Sequence, residues 1–387
     1  MSHQKQNLIL CLIILLAFSL ACKRFTSSSN SNQNTNNSNS GSLGQSDSEK
    51  EVRKRDPNER LFKGAIYADK GPSELVMKLR REGDQITGSY YYTKVRKDIS
   101  LKGSIDKAHK FKIEETTEGK VTGVFTGEWK DSSNDPLIAL EGEWRKPGSE
   151  QNYGFSAYEQ PNESTSGEIE TKTRIEEDKK KKMSINAYYP QIANFGSNTE
   201  KINKDIYNEV DKQVLSFRQQ MKEMGDLPPD SEVGYSLDIN YNTMVATDDL
   251  ISFDFIVSIY TGGAHPNHYE MTLNYNLKDG NKLALSDLFK SKSNYLKKIS
   301  DYCIAELKKP KGDPDNQIEP DPEWVERGAG PNEDNYGNWN ISKKGLVITF
   351  DPYQVAPYVV GPQVVVVPYS VLKDLVREDG PLMPFTK

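Results

Sequence analysis

The chain has 387 residues, with 50 Lys and Arg against 56 Asp and Glu, a formal charge of −6. That balance excludes a globally basic nucleic-acid binder, and the length suits two ordinary domains plus tails. Cys11, Cys22 and Cys303 are the only cysteines and offer no disulfide framework. In chain order, the first feature is an apolar run from Leu8 to Phe18. It is too short for a membrane-spanning helix, which needs about 20 residues, and fits the core of a signal peptide over 1–21.

Ala21-Cys22 at the end of that run resembles a bacterial lipobox. The resemblance implies cleavage before Cys22, loss of Cys11 with the leader, and lipid attachment at Cys22. The protein would then be a membrane-anchored lipoprotein of the bacterial cell envelope, at the outer membrane or cell surface in preference to the inner membrane. The stretch 22–60 starts almost wholly as Ser, Asn, Gln, Gly and Thr and ends charged, a composition that reads as a disordered tether.

Residues 61–159 change character. Strand-like runs recur at Phe62–Tyr67, Leu75–Arg80, Gln85–Thr93, Ile99–Ile105, Lys110–Glu115, Val121–Trp129, Leu137–Trp144 and Gly154–Tyr158, separated mostly by Gly, Asp, Asn or Pro. The expectation is an up-and-down β-meander closing into a small barrel. Alternation places some members of Tyr90-Tyr91-Tyr92 inside and the others outside. His109 reads as a solvated turn residue. Residues 160–182, with Pro, Asn, Ser, Thr and then Glu176-Glu177-Asp178-Lys179-Lys180-Lys181-Lys182, read as a linker between separable units.

The second unit, 183–387, is expected to be α+β, an antiparallel sheet packed by helices, in a protein that is mainly β. Ile202, Ile206, Val210, Val214, Phe217 and Met221 recur at helical spacing after Ser197 or Asn198, so this helix should lie on the sheet. Tyr235–Val245 and Ile251–Tyr260 read as strands, and Cys303 falls on the apolar stripe of a later helix as a buried structural thiol. The Pro-, Gly- and Asp-rich stretch from Pro310 to Asn335 reads as an exposed insertion, and its acids lack the spacing of an EF-hand calcium loop. Trp339–Ile341, Leu346–Phe350 and Gln363–Val367 complete the strands, with a last helix over Val371–Val376.

The segment Thr261-Gly-Gly-Ala-His-Pro-Asn-His268 joins two strand runs and carries two of the four histidines. Gly262 and Gly263 suit backbone angles closed to other residues, and Pro266 stiffens the exit. Tyr260 to Asn267, Tyr275 to Gly280 and Leu285 to Phe289, followed by Phe350 to Tyr358, Gly361 and Val367 to Tyr369, together resemble a bacterial extracytoplasmic domain of unknown function. Residues 183–249 resemble the partner domain that commonly precedes it, which leaves 250–387 as the hairpin-loop portion. This pair occurs in RsiV-type anti-sigma factors, whose outer part recognises lysozyme, and in PdaC-type peptidoglycan deacetylases. The resemblance therefore implies lysozyme or peptidoglycan as partner. The expectation is that neither effector is present: only seven residues precede the apolar core, and Asp248-Asp249 is not followed by the His-x₃-His of a metal-binding deacetylase domain.

Two function classes follow, with a structural envelope spacer as a third. A cell-wall hydrolase would use His265 as general base, oriented by Asp254 or Asp287, with the Gly262 and Gly263 amides holding an anion. His265 and His268, three apart, lack the third ligand of a catalytic zinc site. A non-enzymatic binding or sensor module would present Gly262, Gly263, His265, Asn267, Tyr353 and Tyr358, beside the acidic Asp313–Glu323 stretch. The second class is the expected one, with no catalytic residue, metal or cofactor and no nucleic acid as partner. His265 would lock the loop by bonding to backbone, and His268 would be exposed and dispensable.

Overall fold

The structure is a computed structural model that describes residues 56, 58–69, 71–225, 227, 233–310 and 318–386. The expected signal peptide, Cys22, nearly all of the tether, and Asp313 and Asp315 lie outside the described residues. No helix among the described residues is long and apolar enough to cross a membrane.

The fold is mainly β, as expected. Eight strands, β1 (Glu59–Ala68), β2 (Gly71–Glu82), β3 (Gln85–Tyr92), β4 (Ile99–Ile105), β5 (Lys110–Thr117), β6 (Lys120–Lys130), β7 (Ala139–Arg145) and β8 (Asn152–Glu159), pair in sequence order and close into a barrel. Every junction is antiparallel, including β1 with β8. Closure leaves no free edge among the eight strands. The inward set of each strand, such as Phe62 and Ile66, Met77 and Leu79, Phe125 and Trp129, forms one apolar core. β1 starts at Glu59, so the last residues of the expected tether are the first of the barrel.

The expected linker is a correction. Residues 168–178 form β9 (Glu168–Asp178), which pairs along its whole length with β10 (Met183–Ala193). Its charged residues sit on an exposed edge strand, where charge discourages pairing with other chains. Composition alone cannot separate such a strand from a linker. The preceding stretch is also tied down. Thr243 N donates to Gln160 Oε1 (3.0 Å), Glu163 N to Ala246 O (2.7 Å), and Ser164 Oγ to Asp248 Oδ1 (2.6 Å).

The main sheet continues with β11 (Tyr235–Ala246), β12 (Leu250–Tyr260), β13 (Asn267–Asn276) and β14 (Asn281–Lys282), in the order β14-β13-β12-β11-β10-β9. Helix α1 (Thr199–Met224) crosses from β10 to β11, which makes that one pair parallel while its neighbours are antiparallel. All six residues of the helical ladder are buried against Ile185, Leu237, Phe253, Phe255 and Leu273. Asn198 precedes the helix as expected, yet its side chain does not cap it. Its amide donates to the carbonyls of Leu277 (3.1 Å) and Lys278 (2.9 Å), stapling the helix start to the far end of the sheet.

The opposite face of β12 and β13 is covered by a small antiparallel sheet, β15 (Trp339–Ile341), β16 (Gly345–Phe350) and β17 (Gln363–Pro368). Helix α2 (Tyr295–Leu307) packs on it through Ile299, Cys303 and Leu307, and Cys303 is a buried free thiol. The expected open insertion contains helix α3 (Pro322–Ala329), capped by Asp321, whose carboxylate accepts from Glu323 N (2.9 Å) and Trp324 N (3.2 Å). The last helix, α4, spans Tyr369–Leu372, earlier than the run read from sequence. One rim of the barrel meets both sheets: Leu137 joins Met244, Val347 and Val366 in a shared apolar cluster, flanked by ion pairs Lys344–Asp131 and Lys343–Glu163.

Candidate functional site

The hairpin β12–β13 pairs Ile259 with Asn267 and Ser258 with His268, so the loop closes over 261–266. Of its two glycines only Gly262 needs to be one, with φ of 88°. A Cβ at Gly263 would meet the His265 carbonyl oxygen at 4.0 Å, an ordinary contact, so its glycine is not forced by sterics.

The structure shows the backbone bond read for His265 but buries His268, which was expected to be exposed. His268 lies on the covered face of β13 and is 8% exposed, whereas His265 and Asn267 are exposed. Parity decides this. His268, Glu270, Thr272 and Asn274 alternate onto the face covered by the small sheet. His265 does bond backbone, through Nδ1 to Pro266 O (3.0 Å), and its ring stacks on Tyr358 at 4.4 Å. The Tyr358 hydroxyl donates to the same carbonyl (2.7 Å) and lies 3.2 Å from His268 Nδ1. With the phenol proton committed to Pro266, His268 Nδ1 must donate to Tyr358, which leaves its Nε2 a bare acceptor, buried and without a partner. Burial, and then the charge of His265, lower the His268 pKa and favour the neutral ring. His268→Ala is therefore expected to cost about 1–3 kcal/mol, and His265→Ala less than about 0.5 kcal/mol. Thermal melts of the two variants check this, and equal shifts would refute the assignment.

Tyr353, with φ of 71°, projects from the turn after β16 and is 61% exposed. Its ring meets Tyr358 at 5.5 Å, and Trp324 of α3 donates its indole N–H to the Tyr353 carbonyl (3.0 Å). His265, Tyr358 and Tyr353 thus form one continuous aromatic shelf beside the open Gly262–Gly263 turn. Five of the six residues proposed from sequence for binding, Gly262, Gly263, His265, Tyr353 and Tyr358, come together here; Asn267 stands at the start of β13 next to them.

The proposed catalytic pairings are not assembled. Asp287 accepts from Ala284 N (2.8 Å) within its own turn and lines a separate groove with Lys282 and Arg377. Asp254 faces Glu270 and Asp351 instead of His265. Among the described residues no group of three or more His, Cys, Asp or Glu is placed to hold a metal.

Sequence reasoning missed that acid group. Asp254 of β12 and Glu270 of β13 share a hydrogen bond, and each keeps one buried oxygen without a partner, Oδ1 and Oε2. Asp351, two residues before Tyr353, accepts from Glu270 N (3.0 Å) and from Asn338 Nδ2 (2.9 Å). Burial pushes Asp254 up to about 6, Glu270 well above its usual range, and Asp351 upward. The aromatic shelf is thus footed on a desolvated, proton-sharing acid pair.

Residues 176–268 match the family model described as Deacetylase PdaC, and 286–370 match that described as Protein of unknown function (DUF3298). Both domains are present in this chain. The hairpin loop falls at the end of the first match, and the Tyr353–Tyr358 crossing lies within the second, so the shelf is built where the two meet. Peptidoglycan-N-acetylmuramic acid deacetylase PdaC of Bacillus subtilis (strain 168) is 27% identical over 212 residues, 55% of this chain and 42% of that protein. The chain thus spans less than half the length of this relative. A DUF3298 family structure from Bacteroides fragilis aligns at 17% identity and a TM-score of 0.38, covering 58% of this chain and 99% of the other. One from Pseudomonas aeruginosa PAO1 aligns at 13% and 0.37, covering 55% and 94%.

Proposed function

We propose that this protein is a cell-wall-directed, non-catalytic binding module of the bacterial cell envelope, held at the membrane by lipid on Cys22 and taking peptidoglycan glycan on the His265–Tyr358–Tyr353 shelf. The observation that carries the reading is the shelf itself. Tyr353 is a large exposed aromatic whose backbone angle is unfavourable for a tyrosine, held in place by contacts on both sides. Strained, exposed aromatics that the surroundings over-determine mark ligand clamps. The faces of such rings pack against the C–H faces of pyranose sugars, and nearby backbone polar groups at the glycine turn can read their hydroxyls. The likeness of 176–268 to a deacetylase acting on peptidoglycan supports the same substrate class. Among the described residues no acid orients His265, which favours binding over hydrolysis.

The test is co-sedimentation of the full chain with purified peptidoglycan. Tyr353→Ala is expected to weaken retention about tenfold with an unchanged melting temperature, because the ring is largely exposed. Unchanged retention would refute the shelf as the site. Release of soluble fragments or acetate from the polymer by the wild type, lost in His265→Ala, would refute the non-catalytic reading.

A further inference from the structure

One end of the barrel gathers side chains of a different chemistry. In an up-and-down barrel, the ends of odd strands and the starts of even strands share one rim. That rim gathers Tyr92 at the end of β3, Glu115 towards the end of β5, Gly123 near the start of β6, Trp144 towards the end of β7 and Tyr153 at the start of β8. Glu115 pairs across to Gly123 and Trp144 to Tyr153, and the Trp144–Glu115 hydrogen bond joins the two pairs. The opposite rim, with Asp131, Leu137 and Glu159, packs against the C-terminal sheets.

The floor of the mouth ringed by Tyr92, Trp144 and Tyr153 is a buried carboxyl group set against the apolar core of the barrel. Glu115 is 4% exposed, and its Oε2 accepts from the Tyr90 hydroxyl and from Trp144 Nε1 (3.2 Å). Both donors are neutral, and among the described residues neither Lys nor Arg pairs with this side chain. Burial, and then the bond to Glu115, hold the Tyr90 hydroxyl far above its ordinary pKa, so it remains a donor. Gly123 makes the arrangement possible. A Cβ there would fall 2.4 Å from Trp144 Nε1 and 2.6 Å from Glu115 Oε1. Around this acid stand half-buried rings: Trp144 lies over Tyr153 at 6.0 Å, and Tyr92 meets Tyr90 edge-on at 5.3 Å.

A desolvated acid with no cationic partner is costly, and ring faces carry negative potential of the same sign. Both features favour a positive guest, whereas a sugar would gain little from a carboxylate already bonded to two donors. We propose that the barrel mouth binds a primary ammonium group, with its charge against Glu115 and its alkyl stem between Tyr92, Trp144 and Tyr153. The ammonium supplies N–H donors to Oε1 and cation–π contact to the rings. Such a group is carried both by amino side chains of peptides and by ethanolamine lipid headgroups.

The experiment titrates the full chain with n-butylammonium, reading tryptophan emission, with n-butanol as the neutral probe. A saturable change is expected for butylammonium alone, and it should vanish in Trp144→Phe if that indole is the reporter. Glu115→Gln should weaken the response at least tenfold; should that variant melt early, Tyr153→Ala serves instead, with several-fold weakening at an unchanged melting temperature. Displacement of butylammonium by Nα-acetyl-lysine amide would support a peptide amine, and displacement by phosphatidylethanolamine vesicles a lipid headgroup. No saturable response, an equal response to butanol, or wild-type affinity in a folded Glu115→Gln protein would overturn the proposal.

Discussion

Glu270→Gln is expected to raise the stability of the protein at pH 8 and to flatten its decline with pH. Glu270 donates the shared proton to Asp254, and a glutamine amide supplies the same donor without ever becoming an anion. Both acids have folded-state pKa values raised above their unfolded ones, chiefly by burial, so the folded protein holds their protons more tightly. Their contribution is therefore fully present below about pH 4 and is lost as pH rises through about 6 for Asp254 and higher for Glu270. Asp254 keeps its charge in the variant; what the amide removes is the cost of ionising Glu270 beside it as pH rises, an effect of about 1–3 kcal/mol. Asp254 as a residue is only half-buried; the unpartnered Oδ1 is what lacks solvent contact, and that atom sets the cost. Surface acids such as Glu128 and Asp379, lowered by their Lys and Arg partners, drift the opposite way with pH. The comparison must therefore be variant against wild type from pH 4 to 8, by urea denaturation. Parallel curves would refute the shared-proton reading.

What could be read from the sequence follows how local each signal is. The barrel strands were legible because period-2 alternation and glycine-punctuated turns are properties of ten residues at a time. The α1 ladder was legible for the same reason at period 3.6, and all six of its residues are buried. β9 was not, because a charged edge strand and a charged linker have the same composition and differ only in having β10 alongside. The loop and the Tyr353–Tyr358 crossing were found as separate stretches, since glycines and prolines mark ordered turns. Their meeting depends on the small sheet folding back over β12 and β13. The same covering explains the misread His268 and the missed acids. Ser252, Asp254, Glu270 and Asn274 spell a polar face, which in a two-layer protein reads as solvent-facing. Nothing within reach of those strands announces that residues 338–351 bury it. The parity of His268 with Glu270 and Asn274 was available, but parity assigns a residue to a face without saying which face is wet.

Ser252→Ala is expected to be among the most damaging small substitutions in the C-terminal unit, at about 2–4 kcal/mol, although it deletes one oxygen. The Ser252 hydroxyl joins the two sheets. It donates to Asn274 Oδ1 (2.6 Å) and accepts from Asn340 Nδ2 (3.0 Å) and the Ile341 amide (3.2 Å). Asn274 in turn donates to Trp339 O (2.8 Å), and Asn340 to Phe253 O (2.9 Å). Ser252, Asn274 and Asn340 are all fully buried or nearly so, out of contact with bulk solvent. Alanine would leave Asn274 Oδ1 and the Ile341 N–H unpaired, while Asn340 Nδ2 keeps its bond to Phe253. Asn340 Oδ1 already lacks a partner, so the network has no spare donor with which to rearrange. The cost should fall on the docking of β15 onto β12 and thus on the turn that carries Tyr353. Hydrogen exchange should show protection lost first at Trp339–Ile341 and then at 351–358, with the barrel amides unchanged. A loss below about 1 kcal/mol, or exchange rising equally in the barrel, would show that apolar contacts hold the two sheets together without the hydroxyl.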